Sequence, residues 1–231
     1  MSQKLPACGD VRIGRRTLLA GASAFAGASV LASGFADAQR RAAAGPEEVP
    51  VAELMTPGPL PDFVTGKEDA PVTIVEYASL TCGACGYFNT KVLPALKAKY
   101  IDTGKARLIL RPFARDGLDA AAWMLAYCAG GDKSLLLVYA LFERQQAWVV
   151  NGPNAVAELF KVAKQAGFTQ DSFDKCIKDS TALGQIETIR TRATEKFGVE
   201  ATPTFFINGK RLTGGSLADF DKALTPLLTK S

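Results

Sequence analysis

The chain has no histidine among its 231 residues. That absence removes every Ser-His or Cys-His nucleophile pair, every imidazole base and the commonest transition-metal ligand. A structural zinc site normally takes four Cys or His ligands, yet the five cysteines include only one Cys-X-X-Cys pair. A large excess of one charge is also missing: 27 basic residues face 23 acidic ones, for a formal net charge of +4. Lys4, Arg12, Arg15 and Arg16 against Asp10 and Asp37 account for half of that excess, so the rest of the chain carries no nucleic-acid footprint. At 48% hydrophobic and 22% charged residues, the composition is globular, long enough for one well-buried core and short for two full domains.

Residues 1–38 read as a signal peptide. A basic stretch ending in Arg15-Arg16 leads into an apolar run from Leu18 to Phe35 that is rich in Ala, Gly and Ser, and Ala36-Asp37-Ala38 offers a cleavage site. The paired arginines before Thr17-Leu18-Leu19 resemble a twin-arginine signal, although ordinary secretory signals also carry paired basic residues. An uncleaved membrane anchor is the rival reading, since the run nears the length of a span but is weakly hydrophobic. Export to an oxidising compartment follows, and Cys8 would leave with the signal. Residues 39–61, rich in Ala, Gly, Pro and Glu with no periodic apolar face, read as a flexible linker. Order is expected from Asp62-Phe63-Val64 onward.

The remaining chain is organised around Cys82-Gly83-Ala84-Cys85. An apolar run, Val72-Thr73-Ile74-Val75-Glu76-Tyr77, precedes the pair and a helix-like segment follows it, which is the setting in which the motif means thiol-disulfide chemistry. Metal binding and a permanent structural disulfide are the rival meanings. At a helix N-terminus the unpaired N–H groups favour an anion, so Cys82 is the expected nucleophile. The i, i+3 spacing places Cys85 on the same helix face, within reach of a disulfide. Glu76 is the anomaly of its strand: a buried carboxylate should have a raised pKa and could exchange a proton with Cys85, unless it simply points to a strand end or to solvent.

The helix is expected to run to about Tyr100 with a kink at Pro94, followed by a strand over Ala106 to Phe113, giving a parallel crossover. Helical patterns then fill residues 118–197: Asp119 to Ala129, Lys133 to Val149, Asn154 to Ala166, Asp171 to Lys178 and Ala182 to Phe197. Cys128 and Cys176 each fall on an apolar helix face, as two buried thiols or, preferred in an exported chain, as a structural disulfide. Beyond Gly198, Asn208-Gly209 between apolar runs signals a hairpin. Pro203 suits a strand start, with a cis Thr202-Pro203 bond in a tight turn. Ser216 is the expected N-cap of a last helix through about Leu228.

Taken together, Ile74-Val75-Glu76-Tyr77, Cys82-Gly83-Ala84-Cys85, the helical insertion and Ala201-Thr202-Pro203-Thr204-Phe205-Phe206-Ile207-Asn208-Gly209 resemble the DsbA-like thiol-disulfide oxidoreductases of the thioredoxin superfamily, over residues 62–228. The resemblance implies an α/β thioredoxin fold with an inserted all-helical subdomain. It also implies a nucleophile at Cys82, a resolving thiol at Cys85, a buried proton acceptor at Glu76, and a cis-proline loop at Thr202 and Pro203 that binds substrate backbone. The Cys128 and Cys176 pair is similar to the second, non-catalytic disulfide of some members. A periplasmic enzyme acting on exported cysteine-containing proteins, with a DsbB-like membrane partner, is implied in turn, and no cofactor beyond the Cys82–Cys85 disulfide itself. Within this class the expected role is disulfide formation, with isomerase or reductase action the neighbouring alternative and a metal-binding or holdase module the distant one. DsbA itself has Pro-His between its cysteines where this chain has Gly83-Ala84. Without that histidine the Cys82 pKa is expected in the upper part of the roughly 3.5–7.5 range of activated thiols, which would make the disulfide a weaker oxidant.

Overall fold

The computed structural model describes residues 45–149 and 154–229; the expected signal peptide and Cys8 lie outside them. Two runs dominated by branched and aromatic residues form the centre of the sheet. Val72–Ala78 (β2) and Ala106–Pro112 (β3) pair in parallel with Val75 opposite Ile109, and only the second residue of each is not buried. Burial on both faces explains why neither shows a polar-apolar alternation. Phe63–Thr65 (β1) flanks β3 antiparallel, while Thr204–Ile207 (β4) and Lys210–Arg211 (β5) extend the other side, giving the order β1-β3-β2-β4-β5. The turn between β4 and β5 is Asn208-Gly209, both at positive φ, as a two-residue hairpin of matching twist requires.

The parallel crossover begins at the cysteines. Gly83–Tyr87 (α2) continues through a π-helical segment Phe88–Val92, then Leu93–Leu96 (α3) and a second π segment Lys97–Ile101. The kink expected at Pro94 is realised as widened turns on either side of it: proline has no N–H for the carbonyl one turn back, and the backbone re-pairs at longer range.

Between β3 and β4 the insertion comprises Gly117–Ala129 (α4), Asp132–Glu143 (α5), Gln145–Trp148 (α6), Ala155–Gln165 (α7), Gln170–Ile177 (α8) and Ser180–Phe197 (α9); Leu217–Leu228 (α10) closes the chain, capped by Ser216 as expected. The helix expected over Lys133 to Val149 is in fact two, broken at Arg144. Trp148 explains the break: its buried indole donates to the Leu141 carbonyl at 2.8 Å and folds the last turn back. One face of the sheet buries Ile74, Phe88, Leu96, Phe205 and Phe220; the other buries Val75, Tyr77, Ile109, Phe197 and Phe206. A third cluster lies within the insertion, around Trp123, Leu141 and Trp148, and reaches Cys82 and Cys85. Among the described residues no helix is long and apolar enough to cross a membrane.

The linker expected over residues 39–61 is corrected from Gly45 onward. Val51–Met55 is a short helix (α1), and Val49 and Leu54 are buried among Val75, Tyr77 and Phe197. Its backbone is paired as well: the Val49 amide donates to the Gly209 carbonyl at 2.9 Å and the Arg211 amide to the Glu47 carbonyl at 2.7 Å. The buried Arg111 guanidinium binds both carboxylate oxygens of Asp62, at 2.7 and 2.8 Å, and donates to the Leu54 carbonyl at 2.6 Å. Two isolated apolar side chains and tertiary hydrogen bonds order this stretch, and neither leaves a periodic trace in sequence.

Cys128, at the end of α4, is disulfide-bonded to Cys176 in α8, 48 residues later. Cys176 is buried but Cys128 is exposed, so the apolar-face expectation holds for one partner only. A loop of that size contributes about 4 kcal/mol on the chain-entropy estimate. Replacing both cysteines by Ala should therefore lower stability by up to about 4 kcal/mol in urea unfolding, while thiol exchange at Cys82 persists; unchanged stability would remove the structural role.

Candidate active site

Strand β2 ends at Ala78, and the loop Ser79–Thr81 delivers Cys82 to the N-cap position of α2 with extended backbone. The sulfur closes no side-chain capping hydrogen bond there, but the Cys85 and Ala84 amides lie near enough to favour an anion on it. Both cysteines are present as buried thiols. The Cys82 thiol donates to the Thr202 carbonyl at 3.3 Å, and the Thr202-Pro203 bond is cis. Pro203 lines an open cleft with Ala84, Tyr87, Phe88, Lys91 and Gly215. Glu76 is fully buried in the central strand, between Leu110 of β3 and Phe205 of β4. The five residues singled out in the sequence thus come from three separate segments to one place.

Electrostatics separates the two thiols. Cys82 is lowered to about 4, chiefly by the hydrogen bond from Cys85; burial opposes this, and Thr202 and the Cys85 and Ala84 amides lower it further. Cys85 is pushed far above the ordinary thiol range, first by burial, then by its bond to Cys82 and by the nearby Glu76 charge. Glu76 is raised to about 8 by burial, partly offset by a hydrogen bond from Asn89. The expectation of a moderately acidic Cys82 is therefore corrected: without histidine, a convergent set of donors already takes the thiol to the lower end of the activated range.

Sequence reasoning missed Asn89. It stands one helical turn beyond Cys85, and its amide donates to Glu76 Oε1 at 3.2 Å and to the Cys85 carbonyl at 3.1 Å. Among the described residues Glu76 Oε2 is buried without a hydrogen-bond partner, so one carboxyl oxygen is held and the other is left for a proton. The i, i+4 spacing from Cys85 is the one signal that pointed to this residue. Asp119 and Gln145 also touch the loop before Cys82, from 39 and 65 residues away along the chain, with no local trace.

A thioredoxin family model matches residues 60–225. The putative protein-disulfide oxidoreductase of Rickettsia bellii is 32% identical over 176 residues, covering 74% of this chain and 66% of that protein. The chain spans only 60–66% of the length of this and two further rickettsial relatives. Disulfide bond formation protein D of Bacillus subtilis is 28% identical over 69% of this chain and 72% of its own length. The crystal structure of Wolbachia pipientis alpha-DsbA1 superposes with a TM-score of 0.70 at 33% identity, over 78% of this chain and 97% of that one.

The raised Glu76 carries a stability signature. Its folded-state value near 8 lies above the ordinary 4.5, so the native state holds a proton that the unfolded chain releases. The associated stability is complete below about 4.5 and is lost as pH rises through about 8. In urea unfolding of the reduced protein, wild type should lose on the order of 3 kcal/mol relative to Glu76→Gln between about pH 5 and about pH 8.5. Parallel pH profiles for the two proteins would contradict a buried protonated acid.

Proposed function

The chain belongs to the DsbA-like branch of the thioredoxin superfamily, and on that premise we propose that it is a protein dithiol-disulfide oxidoreductase acting as a disulfide-forming oxidase on exported, cysteine-containing proteins. The observation that carries the direction is the placement of Cys82 at the N-cap of α2, where the Cys85 thiol and the first amides lower its pKa. A thiolate this well stabilised makes the reduced form favourable, and hence the disulfide a strong oxidant.

The chemistry follows from the asymmetry of the pair. With Cys82 and Cys85 joined, a substrate thiolate attacks Cys82 Sγ; a substrate-Cys82 bond forms and the Cys82–Cys85 bond breaks. The electron pair leaves on Cys85, whose strongly raised pKa demands a proton. Glu76, still largely protonated at neutral pH, supplies it. A second substrate thiolate then attacks the substrate sulfur of the mixed disulfide, and Cys82 departs as the stable thiolate. The substrate loses two electrons and gains a disulfide; the enzyme is left as the dithiol. Thr202 and Pro203 are assigned to holding substrate backbone beside Cys82, and no cofactor takes part.

Residues 1–38, read as a signal peptide, would send the protein to the periplasm, where a DsbB-like membrane partner would restore the disulfide. The catalytic domain runs through Leu228, with 118–197 as its helical insertion.

Three linked measurements test this. Cys82→Ser should abolish oxidation of a reduced, unfolded substrate, and Cys85→Ser should accumulate substrate mixed disulfides. Alkylation of the reduced protein should label Cys82 alone, with half-maximal rate near pH 4. Its equilibrium with glutathione should give a potential nearer the roughly −120 mV of a strong oxidant than the roughly −270 mV of a reductant; a value at the reducing end would reassign it as a reductase.

A further inference from the structure

Among the described residues no strand pairs with the loop Ser79–Thr81, and the helical insertion holds its backbone instead. Asp119, in the first turn of α4, is fully buried. One of its carboxylate oxygens accepts from the Leu80 amide at 2.8 Å and the other from the Arg115 amide at 2.9 Å. From the opposite side, the Gln145 side-chain amide of α6 donates to the Leu80 carbonyl at 2.7 Å and to the Cys82 carbonyl at 2.9 Å. The backbone of Leu80 is therefore gripped at both its N–H and its C=O, in the two peptide units that flank its Cα, by side chains of the insertion. Asp116 adds a third tie, accepting from the Thr81 hydroxyl at 3.2 Å.

We propose that Asp119 and Gln145 are positioning residues for Cys82, through which the insertion sets the stability of the nucleophilic thiolate. Neither side chain is hydrogen-bonded to the sulfur. They act by fixing the backbone that aims it at the Cys85 and Ala84 amides, and donors of this kind lose strength steeply as alignment is lost. The packing is committed to this arrangement. A Cβ on Gly86 would lie 2.4 Å from Gln145 Oε1, so the glycine one residue after Cys85 leaves the space that the carboxamide fills. Trp148, buried and bonded to the Leu141 carbonyl, anchors the single turn that carries Gln145. A buried carboxylate such as Asp119 is costly unless its oxygens are satisfied, and the two backbone amides, with the Ser79 hydroxyl, satisfy them.

The inference rests on the reading of Cys82 as the attacking thiol, and the test separates the two. Gln145→Met keeps the length and removes both donors at a half-buried position; Asp119→Asn keeps the volume and removes one of two acceptors. On each reduced variant, Cys82 alkylation is followed against pH, alongside the glutathione equilibrium and the thermal midpoint. Gln145→Met should raise the Cys82 pKa by about one unit and move the glutathione equilibrium about tenfold against the reduced enzyme, with Asp119→Asn shifting both in the same sense by less. The Cys128→Ala/Cys176→Ala protein is the control for general destabilisation: its midpoint should fall with the Cys82 pKa unmoved. If both clip variants lose thermal stability but keep the wild-type pKa and glutathione constant, the two residues are merely structural and the proposal is overturned. Turnover surviving in Cys82→Ser would instead overturn the functional reading, while a shifted thiol pKa in the clip variants would still uphold the clip.

Discussion

A thiolate persists away from water only where hydrogen-bond donors replace the solvation it loses. At Cys82 the Cys85 thiol contributes most, and the first amides of α2 and Thr202, whose buried hydroxyl has no other partner among the described residues, contribute further. The rest of the domain supplies the conditions for that convergence. Strand β2 ends at the right point, the loop after it turns Cys82 into an N-cap, and β4 brings Thr202 up from a segment 120 residues away in sequence. Loss of any of the three would leave a partly buried sulfur without compensation, and desolvation would then favour the neutral thiol.

The same geometry makes the partner cysteine unlike it. Cys85 sits one turn deeper, fully buried, and donates the bond that Cys82 receives. Burial and that donation favour its protonated form, as does the Glu76 charge. Two chemically identical thiols three residues apart thus divide into one of low and one of high proton affinity, as the proposed roles of nucleophile and resolving group require. Glu76, held by Asn89 through one oxygen, interacts electrostatically with both thiols. A buried carboxyl beside two sulfurs would be a liability in a purely structural core; in the proposed exchange it is an acid whose pKa lies near the working pH, next to a leaving group of much higher proton affinity.

Much of this architecture was legible from local pattern. The central strands declared themselves by unbroken apolar runs, the insertion by helical periodicity, and the hairpin by Asn208-Gly209. The stretch before Asp62 was misread because its order rests on two side chains, Val49 and Leu54, seated in a core contributed by β2, β3 and α9. The acidity of Cys82 was misread for a related reason. The two residues between the cysteines carry no cation, whereas part of the lowering comes from Thr202, which local sequence cannot place.

The sequence by itself determined the chemistry: one Cys-X-X-Cys at a strand-to-helix junction, no histidine to support another nucleophile or metal, and a carboxylate embedded in an apolar strand. Those are properties of short segments, where residue type and spacing suffice. Tertiary structure alone decided how strong that chemistry is. The proton affinities of Cys82, Cys85 and Glu76 depend on burial, on the bond between the two thiols and on Thr202 and Asn89, and the loop before Cys82 is held by Asp119 and Gln145 of the insertion. Desolvation and hydrogen-bond alignment are properties of distances in the folded chain, and no local pattern encodes the contacts from Thr202, Asp119 and Gln145 that set them.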